Sequence, residues 1–137
     1  VDLGAVMDEM ALALGQLTGL RVASHPPARV SPPAGYLDYP QSVVFDETYG
    51  RGSDQITDLP IVLVTSRVTD RTARDTVAAW ASGDGPKSVK AAMEAWSWTS
   101  CDEVTVTTCE FDFAPIAGTD YLVAIFKATI VGQGKRN

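Results

Sequence analysis

Gln55-Ile56-Thr57-Asp58-Leu59-Pro60-Ile61-Val62-Leu63-Val64-Thr65-Ser66 is the stretch on which the fold turns. Ile61 to Val64 is apolar at four consecutive positions. In a strand, that makes both faces apolar, which suits a central strand better than an edge. Pro60 brings no N–H to a ladder and is expected to mark a bulge. Downstream, Thr69 or Asp70 caps a helix running to Ala81, with Ala73, Val77, Trp80 and Ala81 as its apolar stripe. Asp70/Arg74 and Arg71/Asp75 are spaced as i,i+4 ion pairs on that helix. Ser82-Gly83-Asp84-Gly85-Pro86 ends it, and Ser88 can cap a second short helix through Trp96.

Two long strands follow. Glu103 to Phe113 alternates Val104, Val106 and Thr108 against Thr105, Thr107, Cys109, Phe111 and Phe113. Thr119 to Gln133 sets Leu122, Ala124, Phe126, Ala128 and Ile130 against Tyr121, Val123, Ile125 and Val131, with residues 114–118 as the hairpin loop between them. Upstream of Gln55, Leu3, Val6, Met7, Met10, Leu14 and Leu17 repeat at helical spacing, with acids early in the segment. Leu20 to Ala23 is a short strand candidate, and residues 24–34 form a proline-rich connector. Gly35 to Tyr39 and Ser42 to Phe45 read as strands, and residues 46–54 as a glycine-rich hairpin tip. The expectation is an α+β fold in one domain over residues 1–131. Its single antiparallel or mixed sheet carries the N-terminal helix and two further helices on one face, with 132–137 as a flexible tail.

Composition narrows the function classes. With 137 residues there is room for one core, and 45% apolar with 20% charged residues is ordinary for a globular domain. The longest apolar run, Tyr121 to Phe126, is far below the ~20 residues of a membrane helix. The first ten residues hold three acids and no base, unlike a secretory signal, so a soluble chain made in the cytoplasm is expected. A net charge of −6 with scattered arginines argues against gripping nucleic acid and suits a passage that DNA traverses without specific binding. Cys101 and Cys109 fall in what reads as one extended segment, roughly 26 Å apart. A disulfide needs less than about 7 Å, so reduced thiols are expected.

No catalytic constellation emerges. His25 is the sole histidine and precedes two prolines in a loop; a nucleophilic centre would have to combine it with Cys101 or Cys109. No zinc-type ligand spacing, phosphate-binding glycine motif or nucleophile elbow occurs, and no cofactor or metal is expected. Glu110 with Asp112, and Asp54 with Asp58, read as solvent-facing acids. Trp80 and Trp96 read as core, whereas Trp98 in the polar setting of Ser97, Thr99 and Ser100 suits a subunit contact.

Several stretches, in their order and spacing, resemble the tail terminator proteins of long, non-contractile-tailed (siphovirus-type) phages, in particular those infecting actinobacteria. They are Pro26-Pro27-Ala28-Arg29-Val30-Ser31-Pro32-Pro33-Ala34, Thr48-Tyr49-Gly50-Arg51-Gly52-Ser53-Asp54, and Leu59-Pro60-Ile61-Val62-Leu63-Val64 followed by Asp70-Arg71-Thr72-Ala73-Arg74-Asp75. Gly83-Asp84-Gly85-Pro86-Lys87-Ser88-Val89-Lys90-Ala91-Ala92 and Asp120-Tyr121-Leu122-Val123-Ala124 complete the set. The similarity spans about residues 2 to 131; Ala95 to Cys101 departs from it. It implies a virion structural subunit at the head–tail neck, a six-membered ring that caps the tail tube, halts its growth and docks the head connector, with DNA passing through the lumen. Expected contact residues are Tyr49, Arg51 and Asp54 in the tip, Arg71 and Arg74 at subunit seams, and Trp98. The competing readings are another head–tail neck component (a head-completion or connector protein) and a small cytosolic enzyme or ligand-binding module.

Overall fold

The computed structural model describes residues 2–18, 21–25, 34–45, 53–67, 71–83, 88–116 and 118–133. Their elements run α1 (Leu3–Thr18), β1 (Val22–Ala23), β2 (Ala34–Leu37), β3 (Ser42–Val44), β4 (Ser53–Arg67), α2 (Arg71–Trp80), α3 (Val89–Ala95), β5 (Glu103–Ile116) and β6 (Thr119–Gln133). The fold is α+β. One six-stranded sheet has the order β1-β2-β4-β6-β5, with β3 paired to β4 on the same side as β2. Only β1 and β2 pair in parallel, so the sheet is mixed.

The apolar run of β4 explains its place between β2 and β6. Ile56, Leu59, Ile61 and Leu63 turn toward the helices, together with Ala124, Phe126, Ala128 and Ile130 of β6. Val6, Met7, Met10, Ala13 and Leu14 of α1, Val77 and Trp80 of α2, and Val89 and Met93 of α3 close that core. All three helices therefore lie on one face. Val62, Val64 and Val123 point to the other face, where Tyr36, Tyr121 and Ile125 flank them.

Helix starts follow local chemistry. Asp2 caps α1, its carboxylate accepting from the Ala5 N–H at 3.2 Å; the useful acid is at the cap, and the first turn itself has none. Ser88 accepts from the Ala91 N–H at 3.1 Å and donates to the Ser82 carbonyl at 2.5 Å, so one buried hydroxyl both caps α3 and holds the turn after α2.

Four boundaries depart from expectation. Of two β4 irregularities, one lies between Val64 and Arg67 and the other between Ile56 and Leu59, ahead of Pro60, where Asp58 has φ +52°, a conformation that Asp tolerates. Pro60 stays in register opposite Lys127 and uses its carbonyl to accept from Asp38 N–H at 3.0 Å. In β5 a bulge between Val106 and Thr108 resets the alternation. Val104 and Val106 thus share a face with Cys109, Phe111 and Phe113, which lie opposite Phe126, Ala124 and Leu122. The expected five-residue hairpin loop is shorter, because β5 continues to Ile116, opposite Thr119, and Gly118 takes the turn with φ +81°. Pro115 is tolerated there because β5 is an edge strand. Finally, β6 includes Gly132 and Gln133, and β4 begins at Ser53, so the residues 53–54 and 132–133 expected in the tip and the tail are strand.

Gly35 marks the tightest approach in the sheet. A Cβ there would meet Leu63 Cδ2 at 2.6 Å and the Val62 carbonyl oxygen at 3.2 Å. Gly35→Ala is expected to destabilise the fold by about 1–3 kcal/mol through overpacking, read as a lower urea midpoint at unchanged slope. A midpoint equal to the parent's would show that β2 can shift away from β4 freely.

Candidate functional site

Of the residues expected at subunit contacts, the described ones lie on separate segments: Asp54 on β4, Arg71 and Arg74 on α2, and Trp98 between α3 and β5. Tyr49 and Arg51 lie outside the described residues, as do 26–33 of the proline-rich connector. Asp54 is only 5% exposed and sits in β4 opposite Gly132, so it belongs to the sheet and not to a projecting tip. Arg71 and Arg74 stand exposed one turn apart on α2, whose N-terminus follows the far end of β4. Arg74 pairs with its neighbour Asp75 at 3.3 Å, both side chains largely in solvent; the spacing-based partner Asp70 lies outside the described residues. An exposed pair of this kind contributes little to stability.

Trp98 is also differently placed. Its indole is half-buried against the main core, tilted 58° to Trp96 at 6.4 Å between centroids, and its Nε1–H donates to the Met93 carbonyl at 2.8 Å. The polar neighbours that suggested exposure have another use. They wrap the carboxylate of Glu9 on α1. Glu9 accepts from Trp96 Nε1–H at 3.0 Å, from the backbone N–H groups of Thr99 (3.1 Å) and Ser100 (2.9 Å), and from the hydroxyls of Thr99 (3.3 Å) and Ser100 (2.5 Å). Partial burial pushes the Glu9 carboxyl upward, but the hydrogen bonds from Ser100, Trp96 and Thr99 outweigh it and hold the pKa at about 2. This junction fixes the segment between α3 and β5 onto the first helix.

The same segment forms a shallow polar depression of about 240 Å³ lined by Trp98, Thr99, Ser100, Cys101 and Asp102. Its thiol is poorly suited to attack. Burial, then the Glu9 charge, pushes Cys101 up to about 11, and burial with Glu110 does the same to Cys109. Both remain protonated at neutral pH, and a protonated thiol is a weak nucleophile. Both are free, and Cys101 precedes β5 instead of lying in it. Among the described residues no three His, Cys, Asp or Glu side chains converge as a metal site, and no helix is long and apolar enough to cross a membrane.

What stands out instead are aromatic side chains at strand edges. Phe111 and Phe113 on β5 are 57% and 60% exposed, and Tyr39 and Phe45 beside β3 are 65% and 72% exposed. Lys90 of α3 reaches the Val106 carbonyl at 3.2 Å and covers the lower part of β5; Phe111 and Phe113 lie beyond it. Sequence alternation placed both phenylalanines on one strand face, but it carries no signal that the helical layer stops short of them. On the opposite face Glu110 pairs with Lys127 at 3.1 Å, and Asp112 is exposed. No family model matches the chain, and no curated protein matches it.

Proposed function

We propose that this chain is a virion structural subunit of the head–tail neck, a tail terminator whose ring caps the tail tube and presents a docking surface to the head connector. Resemblance over most of the sequence motivates the reading. One structural observation carries it: among the described residues, the large apolar side chains left in solvent are Leu12 on α1 and five at strand edges, Tyr39, Val44, Phe45, Phe111 and Phe113. Apolar surface at edges serves contact between macromolecules, whereas a small-molecule site would gather it in a concave pocket. The thiols held protonated and the Glu9 carboxylate saturated with donors agree with a binding role. The net charge of −6 suits a lumen through which DNA slides without being held.

The test joins mass and function. Native mass spectrometry over a concentration series is expected to show a closed species of six chains, about 88 kDa from the 14.6 kDa subunit. Added to tail tube protein polymerising in vitro, the chain is expected to shorten the tubes and sit at one end. Tubes of unchanged length with no chain bound would reject the reading.

A further inference from the structure

The free edge of β5 can be read group by group from its register. Ile116 pairs with Thr119 across a two-residue connection, and a hairpin that tight closes on a hydrogen-bonded pair. Pairing runs unbroken from Ile116 back to Thr108, so Ala114, Asp112, Glu110 and Thr108 exchange their backbone hydrogen bonds with β6. Pro115, Phe113, Phe111 and Cys109 fall between them and direct their backbone groups outward. Pro115 agrees with this assignment, since it has no N–H to give to a ladder. Phe111 and Phe113 add exposed rings on the helix-bearing face of the same edge. Outward-facing backbone groups beside bare aromatic rings are a template for an incoming strand.

Those outward groups are interrupted. The Phe113 N–H donates to the carboxylate of Asp112 at 2.7 Å, although that side chain starts from the opposite sheet face. Pro115 leaves a blank one outward position further along. Below, the irregularity between Val106 and Thr108 breaks the ladder, and Lys90 occupies the Val106 carbonyl at 3.2 Å. Between these guards the open edge shrinks to residues 109–111. Without the Asp112 contact it would extend over 109–113, close to the ordinary strand length of about 5–6 residues. Glu110 on the same face as Asp112 pairs with Lys127 at 3.1 Å, whereas Asp112 has no cationic partner among the described residues and turns to the backbone. Asp38 does the same for the exposed Tyr39 beyond β2, accepting from its N–H at 2.7 Å.

We propose that Asp112 is an autoinhibitory cap on the β5 edge: its carboxylate holds the Phe113 N–H that an added strand would need. The edge is thereby closed to backbone pairing, while the rings of Phe111 and Phe113 stay free for side-chain contact. The cap does not depend on the ring proposed above.

The experiment uses the full chain and three variants, with circular dichroism confirming the fold of each. Asp112→Ala removes the cap, Asp112→Asn keeps an accepting oxygen without the charge, and Glu110→Ala is the control on the same face. In amide exchange at low concentration, corrected for intrinsic rates, the Phe113 N–H of the parent is expected to exchange about tenfold more slowly than the Phe111 N–H. That difference should vanish in Asp112→Ala and persist in Asp112→Asn and Glu110→Ala. At higher concentration Asp112→Ala is expected to gain β-rich association in excess of the parent, read by thioflavin fluorescence and sedimentation. Adding Phe111→Pro, which deletes a second outward N–H without touching the ladder to β6, should abolish that gain. Equal exchange of the two amides in the parent, or no excess association in Asp112→Ala, would overturn the cap. So would an Asp112→Asn variant that matches Asp112→Ala in both readouts, because the charge alone would then be the guard. An excess that survives Phe111→Pro would place the pairing on another edge and overturn it as well.

Discussion

Phe126→Ala is expected to lower the free energy of unfolding by about 3–5 kcal/mol. The ring is 2% exposed and sits in the middle of β6, flanked by Ile61 of β4 and Cys109 of β5, beneath the helical layer. Truncation removes its transfer free energy and leaves a cavity bordered by three strands and helices, which cannot collapse without shifting the sheet. For a domain whose total stability is about 5–15 kcal/mol, this is a large fraction of it. Phe111→Ala provides the internal control: the same residue type on the same face of the sheet, but 57% exposed. Its cost is expected within about 0.5 kcal/mol in the monomer. Urea unfolding of both variants measures the contrast, and equal losses would contradict the burial of Phe126.

Glu9→Ala is expected to be the most costly change at a polar residue, about 2–3 kcal/mol, because it strands the donors of Trp96, Thr99 and Ser100 together. Some of these donors can turn to water, which keeps the loss below the sum of separate bonds. The pH dependence has a definite sign. With a folded pKa of about 2 against an ordinary 4.5, the folded state favours the ionised form. Its contribution is complete above about pH 4.5, declines as pH falls through the window between the two values, and is gone near pH 2. The stability gap between parent and Glu9→Ala should thus be constant from pH 6 to 8 and close on acidification below 4.5. A gap unchanged at pH 2.5 would show that Glu9 acts by packing and not by charge.

The layers of the fold were legible because each depends on a local pattern. Ile61 to Val64 required neighbours on both faces, the helical spacing of Val6, Met10 and Leu14 required a core-facing stripe, and Ser88 stood where a cap is needed. The misses share a physical cause, which is information held in the partner and not in the segment. Thr105 to Cys109 alternates smoothly, and only pairing with Ala128 and Lys127 shows where the bulge lies. Glu9 reads as an ordinary acid on a helix until residues some ninety positions later wrap around it. Trp98 looked exposed because its neighbours are polar, yet their polarity is directed at Glu9. Arg71 and Arg74 are exposed on α2, whereas the exposure of Phe111 and Phe113 has no signal in the strand that carries them.

The position of β6 bears on how the chain reaches its native state. It follows β5 in the chain but lies between β4 and β5 in the sheet, so those two strands are joined only through it. Until it pairs, β4 and β5 both offer long unpaired edges, and a loop of about fifty residues must close before the non-local contacts repay it. Biosynthesis therefore passes through a stage in which every strand but β6 has emerged, the stage most open to pairing with another chain. Once β6 pairs with both neighbours, only the outer edges of the sheet are still available.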